Sequence, residues 1–245
     1  MRRWLFLCGL LALVPALRSA AQLAPETILE QSDRARGKLP GLVWQVEMTS
    51  VEGGKPRTQT LQVKARGQDV LATFLSPPRV KNQKLLMVGR NMWFIKPNVS
   101  KPVPISPRQK LMGQAANGDI ASTNYSGDYA GELIGDEEIN GEMCYVLDLS
   151  ATDKNVTYDK IRYWVSKGRL VGVKADFFTV SGKKFKTAEF EYGNSLAVQE
   201  DVIPFISQMR IQDAIRPDEV TTLSYSAIEP QDLPDSTFKL NLLMR

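Results

Sequence analysis

The sequence predicts a mainly β domain, an antiparallel meander of about eleven strands curled into a sandwich or a barrel-like sheet. Three observations predict it. From Leu39 onward apolar residues recur with the period of a strand rather than that of a helix. Gly, Pro, Asn and Asp interrupt these runs at short intervals, leaving no room for crossover helices between parallel strands. There is also no βαβ rhythm, no linker-like composition shift and no solenoid-type repeat, so one domain accounts for the chain.

The first 21 residues stand apart. Arg2 and Arg3 precede an apolar stretch, Trp4 to Leu17, that is too short for a stable membrane anchor, and Ser19-Ala20-Ala21 supplies small residues for cleavage before Gln22. Residues 1–21 therefore read as a cleaved secretory signal and residues 22–245 as the working domain, expected outside the cytoplasm. Cys8 follows Leu7 inside the apolar run, which argues against lipidation there. Of 31 Lys and Arg, the segment removes Arg2, Arg3 and Arg18; it removes none of the 27 Asp and Glu, so 28 face 27. A nearly neutral domain has no electrostatic footprint for nucleic acid.

Pro25 to Gly37 reads as one helix. Proline suits its first turn, glycine suits its end, and Ile28, Leu29, Ser32 and Ala35 form a modest apolar stripe. Trp44, Val46 and Met48 then alternate with Gln45, Glu47 and Thr49. After the turn at Glu52-Gly53-Gly54-Lys55, Leu61, Val63 and Ala65 alternate in the same way, so the pair reads as a hairpin. Val70–Leu75, Lys84–Val88 and Met92–Ile95 are three short strands.

Residues 96–129 differ. Four prolines precede a small-residue polar stretch, with a short helix expected around Pro107–Met112 and no strand pattern elsewhere. A segment of that length without sheet character in a compact β domain is usually functional or disordered. Strands resume at Glu132–Ile139, Met143–Ser150, Lys160–Ser166, Leu170–Val180 and Lys184–Tyr192, and two more are expected at Val202–Ile211 and Glu219–Ile228.

The chemistry is bounded by absences. With no histidine, Ser-His-Asp and Cys-His nucleophile systems and most zinc sites are excluded. Cys144 is the one cysteine left after processing, so no intramolecular disulfide forms; it sits between Met143 and Tyr145 and shares a face with Val146. No dinucleotide, P-loop, zincin, nucleophile-elbow or EF-hand motif occurs. The run Asp136-Glu137-Glu138 reads as a hairpin surface. We expect no enzyme, no catalytic residue, no metal and no cofactor.

The apolar inventory is more informative. Leu85–Val88 and Met92–Ile95 are apolar on both parities, which a strand wetted on one side should not be. Periodicity does not separate a filled core from a lined cavity, and sequence physics alone favours the filled core.

The order of segments resembles the LolA-like family of outer-membrane lipoprotein-sorting proteins, within the superfamily of LolA, LolB and RseB. The resemblance rests on NMWFIKP (Asn91–Pro97), SPRQKLMG (Ser106–Gly113), GDEEINGEMCYVLDLSA (Gly135–Ala151), YDKIRYWVSKGRLVGVKADFF (Tyr158–Phe178) and DLPDSTF (Asp232–Phe238). These are packing motifs, and they span essentially the whole mature chain in order. The resemblance implies an incomplete, curved antiparallel barrel closed by short helices, with residues 25–37 and 96–129 as its lid. It also implies an apolar cavity, and parity then assigns its lining to Trp44, Val46, Met48, Leu61, Val63, Phe74, Trp93, Tyr145 and Leu147. The implied function is a monomeric periplasmic carrier or chaperone for lipoprotein acyl chains or free lipid. Its implied partners are an inner-membrane transporter and an outer-membrane acceptor. The alternative is an RseB-like adaptor that binds a membrane protein and carries no cargo.

Overall fold

Proline costs nothing at the start of a helix, where the missing N–H would have had no partner, and α1 (Pro25–Arg34) begins on Pro25. The computed structural model describes residues 23–121 and 124–244; the expected signal segment, 1–21, lies outside them. The helix ends three residues before Gly37 because Asp33 O accepts hydrogen bonds from both Arg36 and Lys38 N, which closes a turn. Gly37 follows with φ +108°, a left-handed conformation that side-chain-bearing residues avoid.

The strands follow in order: β1 (Leu42–Glu52), β2 (Lys55–Arg66), β3 (Asp69–Ser76), β4 (Lys84–Val88), β5 (Asn91–Ile95) and β6 (Val103–Ile105). A small hairpin, β7 (Lys110–Met112) and β8 (Ala115–Ala116), leads into α2 (Asn117–Ala121) and α3 (Tyr125–Asp128). Then come β9 (Tyr129–Ile139), β10 (Glu142–Ala151), β11 (Lys160–Ser166), β12 (Gly172–Phe178), β13 (Lys184–Glu191), β14 (Asn194–Val198), β15 (Asp201–Phe205), β16 (Gln208–Asp213) and β17 (Val220–Pro230). A 3₁₀ turn (Asp235–Phe238) and α4 (Leu240–Leu243) finish the described chain.

Thirteen strands form one antiparallel sheet in the order β6-β5-β4-β3-β2-β1-β17-β16-β13-β12-β11-β10-β9. The first and last long strands meet at its centre: Met48 of β1 stands opposite Gln59 of β2 on one side and Leu223 of β17 on the other. The outermost strands, β6 and β9, do not pair with each other, so the curved sheet stays open, as expected. Strand alternation sets which face is buried. β1 buries Leu42, Trp44, Val46, Met48 and Ser50, and β2 buries Leu61, Val63 and Ala65, all on the inner face. Each fully buried aliphatic or aromatic side chain contributes about 1.5–3 kcal/mol. With Cys144 unpaired, burial is what holds the described domain together.

The structure departs from the sequence reading in three places. Residues 107–112 are a turn entering β7, not a helix. Pro107 and Gly113 bracket them, and the strand is fixed by pairing with β8, which local pattern does not reveal. Residues 96–129 also contain β6, the edge of the main sheet. Finally, Val202–Ile211 is two strands. β15 folds back on β14, and β16 enters the main sheet, the chain changing direction at Ile206-Ser207. Thirteen strands in the main sheet therefore replace the expected eleven or so.

A second apolar cluster lies on the outer face. Leu71, Leu86 and Ile95 are covered there by Leu233 and Phe238 of the C-terminal segment. Arg66 holds this segment, donating to Leu233 O at 2.8 Å, pairing with Asp235 at 2.8 Å and stacking on the Phe238 ring at 5.3 Å. This layer explains why β4 and β5 are apolar on both parities: both of their faces are dry. Among the described residues no helix is long and apolar enough to cross a membrane.

Candidate functional site

The inner face is lidded by α1 and α3. Helical spacing puts Ile28, Leu29, Ser32 and Asp33 of α1 on the side that meets the sheet, and all four are buried. Two of them belong to the inner apolar cluster; the other two are polar and must be satisfied. Ser32 donates back to Leu29 O at 3.0 Å, the local bond that a serine hydroxyl makes inside a helix. Asp33 is satisfied across the lid. Its carboxylate accepts from Tyr125 N at 3.1 Å, Ser126 N at 2.9 Å and Ser126 Oγ at 2.8 Å. Lys38 Nζ donates to the same Ser126 Oγ at 2.6 Å. Burial raises the Asp33 pKa to about 6, against the lowering effect of the Ser126 hydrogen bonds and of Arg36 and Lys38.

Beneath this latch lies an aromatic box. Tyr125 meets Tyr129 and Tyr163 edge-on, with centroids 5.3 and 5.2 Å apart, and Tyr163 meets Phe190 at 6.2 Å. Tyr163 lies across Gly172, where any side chain would overlap its ring. The Arg36 guanidinium enters the box 4.8 Å from the Tyr125 centroid and 4.6 Å from that of Phe190. Arg36 Nε and Nη1, together with Tyr163 Oη and Tyr192 Oη, are buried without a hydrogen-bond partner. A buried cation stacked between rings is partly compensated, but its unfilled donors remain a cost.

Of the nine residues that parity assigns to the inner lining, Trp44, Val46, Met48, Leu61, Val63, Phe74 and Leu147 come together in one buried cluster. Tyr145 packs at its margin, half-buried, with Lys167 Nζ 4.8 Å above its ring. Trp93 does not join them. Its neighbours Met92 and Phe94 take the inner face, and Trp93 packs outward against the C-terminal layer. Where both parities are apolar, the sequence offers no means of choosing the face, and a one-residue error reverses it. The seven inner residues are between 0 and 3% exposed, so they interlock here as a packed core.

Open space lies beside that core. A cleft of about 780 Å³ opens at the end of the sheet where β12, β13 and the β7–β8 hairpin meet. Tyr158 belongs both to its wall and to the inner core, stacked on Phe177 at 4.1 Å, so the cleft reaches the core's edge. A buried polar group anchors the wall. Tyr158 Oη donates to Asp119 (2.6 Å), and Lys186 Nζ donates to Asp119 Oδ2 (3.3 Å) and Gln114 O (2.9 Å). Burial lowers the Lys186 pKa, with Asp119 opposing the shift. Sequence reasoning passed over Arg36, Asp33 and Asp119, and Lys186, which follows a turn with Lys183 and Lys184 and reads as part of a solvated strand face, is instead buried. A lone charge in a helix or strand carries no sign of burial, so no local signal singled them out.

The acidic run of β9 lies on the surface: Asp136 pairs with Lys167 at 2.6 Å and Glu137 accepts from Trp164 Nε1 at 2.7 Å. Asp128 lies at the opposite end of that strand, where Arg90 Nε donates to it at 3.2 Å.

Comparison with known proteins points one way. A family model described as "Uncharacterized protein" matches residues 66–245, and no curated protein matches. A solved structure of a LolA superfamily protein from Nitrosomonas europaea is 33% identical, with a TM-score of 0.80, covering 90% of this chain and 99% of that one. A putative outer membrane lipoprotein-sorting protein domain from Vibrio parahaemolyticus shares the fold at 21% identity and TM-score 0.78, covering 90% of this chain and 98% of its own. A DUF1329 family protein from Desulfovibrio piger does so at 22% identity and TM-score 0.74, with 89% and 97% covered.

Proposed function

The chain belongs to the LolA superfamily, and from that premise we propose that it is a periplasmic carrier for lipoprotein acyl chains or free lipid, moving them towards the outer membrane. The observation that carries this reading is a large apolar inner face covered by two short helices, α1 and α3. α1 and α3 are fastened to each other mainly around the single Asp33 carboxylate, not by strand pairing. In this reading the two helices would move together with Ile28 and Leu29 to admit a chain, and entry would come at the cleft beside Tyr158, which reaches the edge of the same core. Its volume falls within the range of small-molecule sites, about 300–1,000 Å³.

The thermodynamics require such a protein. Exposing an acyl chain to water costs about 0.8 kcal/mol per CH₂, on the order of 13 kcal/mol for a ~16-carbon chain. A carrier works by burial alone and needs no nucleophile, metal or cofactor. In this reading an inner-membrane transporter loads the protein and an outer-membrane acceptor unloads it.

The close packing of Val63, Leu147 and their neighbours favours a second reading, an adaptor that binds a membrane protein and carries nothing. Native mass spectrometry after gentle purification, with titration of a fluorescent fatty acid, separates the two. Bound lipid and quenching of Trp44 are expected of the carrier. Wild type that never copurifies with lipid and binds no probe would replace the carrier with the adaptor.

A further inference from the structure

Two aliphatic side chains stand almost free of the protein at this end of the sheet: Val180, 72% exposed, on the wall of the 780 Å³ cleft, and Ile215, 68% exposed, next in the chain to Arg216 of that wall. Exposed apolar residues are common singly; the placement of these two is not accidental to the fold. β13 pairs with β16 so that Lys186 stands opposite Asp213, and Ala214 N donates to Phe185 O at 3.0 Å. The β12–β13 turn and the β16–β17 loop are therefore neighbours at one end of the sheet. Val180 and Arg216 both line the cleft between them.

Each tip is held out by its own turn. Thr179 N donates to Lys183 O at 3.0 Å and Gly182 N to Thr179 O at 2.9 Å, which leaves Val180 at the apex. Asp213 Oδ1 accepts from Ile215 N at 2.8 Å and Arg216 N at 2.9 Å, fixing the start of the second loop. Arg216 pairs with Glu219 across it at 2.7 Å. Neither side chain is exposed because its segment is slack.

The surroundings set the chemistry of what they meet. The cleft wall presents four cations, Arg108, Lys110, Lys186 and Arg216, and one carboxylate, Asp159. Three of the cations have carboxylate partners outside the wall: Glu52 for Lys110, Asp119 for Lys186 and Glu219 for Arg216. Lys186 is buried, but Lys110 and Arg216, 60% and 63% exposed, stand further out than their partners Glu52 and Glu219 at 26% and 13%, so an approaching surface meets these two positive ends. Behind the tips the wall is apolar, with Phe178, Phe185 and Tyr158. Aliphatic tips beside the outward cations Lys110 and Arg216 fit the interface of an anionic bilayer, where apolar groups enter the acyl boundary and Lys or Arg meet lipid phosphates.

We propose that this end of the sheet is a membrane-docking face: Val180 and Ile215 enter an anionic phospholipid leaflet, and the cleft behind them opens onto the lipid. Docking is a property of the surface and holds whether or not the protein carries cargo.

The test is cosedimentation of the purified protein with vesicles of phosphatidylcholine, with and without phosphatidylglycerol. Binding is expected only to the anionic vesicles and should weaken with salt. Val180→Asp and Ile215→Asp should each weaken it about tenfold, the equivalent of about 1.4 kcal/mol for a lost apolar insertion. Both positions are exposed, so the melting temperature should not move. Val202→Asp is the control: it is 72% exposed but sits on β15 beside Glu200 and Asp201, away from the cleft, and should bind like wild type. Absence of wild-type binding to anionic vesicles would overturn the proposal. So would equal loss in the control, or binding that appears only when a membrane protein is reconstituted, which would assign the face to a protein partner. Fatty-acid binding that survives in Val180→Asp would show that docking and carriage are separate properties.

Discussion

Asp33 and Ser126, 93 residues apart in the chain, are joined twice: the Ser126 N–H and its hydroxyl both donate to the same carboxylate, at 2.9 and 2.8 Å. This contact fastens the two lid helices, and its strength depends on the protonation of a group with no exposure to solvent.

The Asp33 pKa is raised from 3.8 to about 6, so the folded state holds this proton more tightly than the unfolded chain. Its stabilising contribution is full below about pH 4 and is lost as pH rises through about 6, amounting to at most about 3 kcal/mol. Other carboxylates titrate over the same window, so the comparison is between wild type and Asp33→Asn. Chemical denaturation from pH 4 to 7 should show wild type losing stability relative to the variant as pH rises. A constant difference across that range would mean that Asp33 is ionised throughout.

Arg36 should tolerate an apolar replacement better than a lysine. Its flat guanidinium lies near two rings at 4.6 and 4.8 Å, while Nε and Nη1 bond to nothing. A methionine keeps the packing and removes the desolvated charge; lysine keeps the charge, loses the flat stacking and is more strongly hydrated. Arg36→Lys should therefore melt below Arg36→Met. The reverse order would show that charge, not stacking, governs the position.

The C-terminal segment should loosen without unfolding the sheet when Arg66 is shortened. Arg66→Ala removes the bond to Leu233 O, the pair with Asp235 and the contact with Phe238. Hydrogen exchange over residues 231–244 should speed up by more than about tenfold while β10–β13 keeps its protection. Uniform loss of protection would mean that the tail and the sheet unfold as one unit.

Cys144 should resist thiol reagents in the native protein. It is fully buried between Val146 and Trp164, its Sγ donates to Glu142 O at 3.3 Å, and burial raises its pKa, which disfavours the reactive thiolate. Labelling at pH 8 should be slow until denaturant is added. Immediate labelling would contradict this packing.

Sequence by itself determined the elements whose periodicity survives without neighbours. Trp44, Val46 and Met48 alternate cleanly because one face of β1 is wetter than the other, and Pro25 with its apolar stripe marks α1. The segment motifs determined the family and, with it, an open curved sheet. Tertiary structure decided whatever depended on partners distant in the chain. Trp93 could be assigned to a face only once the C-terminal layer was seen to dry the outer side. β7 exists because β8 pairs with it, and Val202–Ile211 divides because β14 claims its first half. Asp33, Asp119 and Lys186 look like ordinary surface charges in the sequence, and contacts made across 67 to 93 residues bury them. Alternation records which face of a strand is dry; it holds no information about which distant segment dries it.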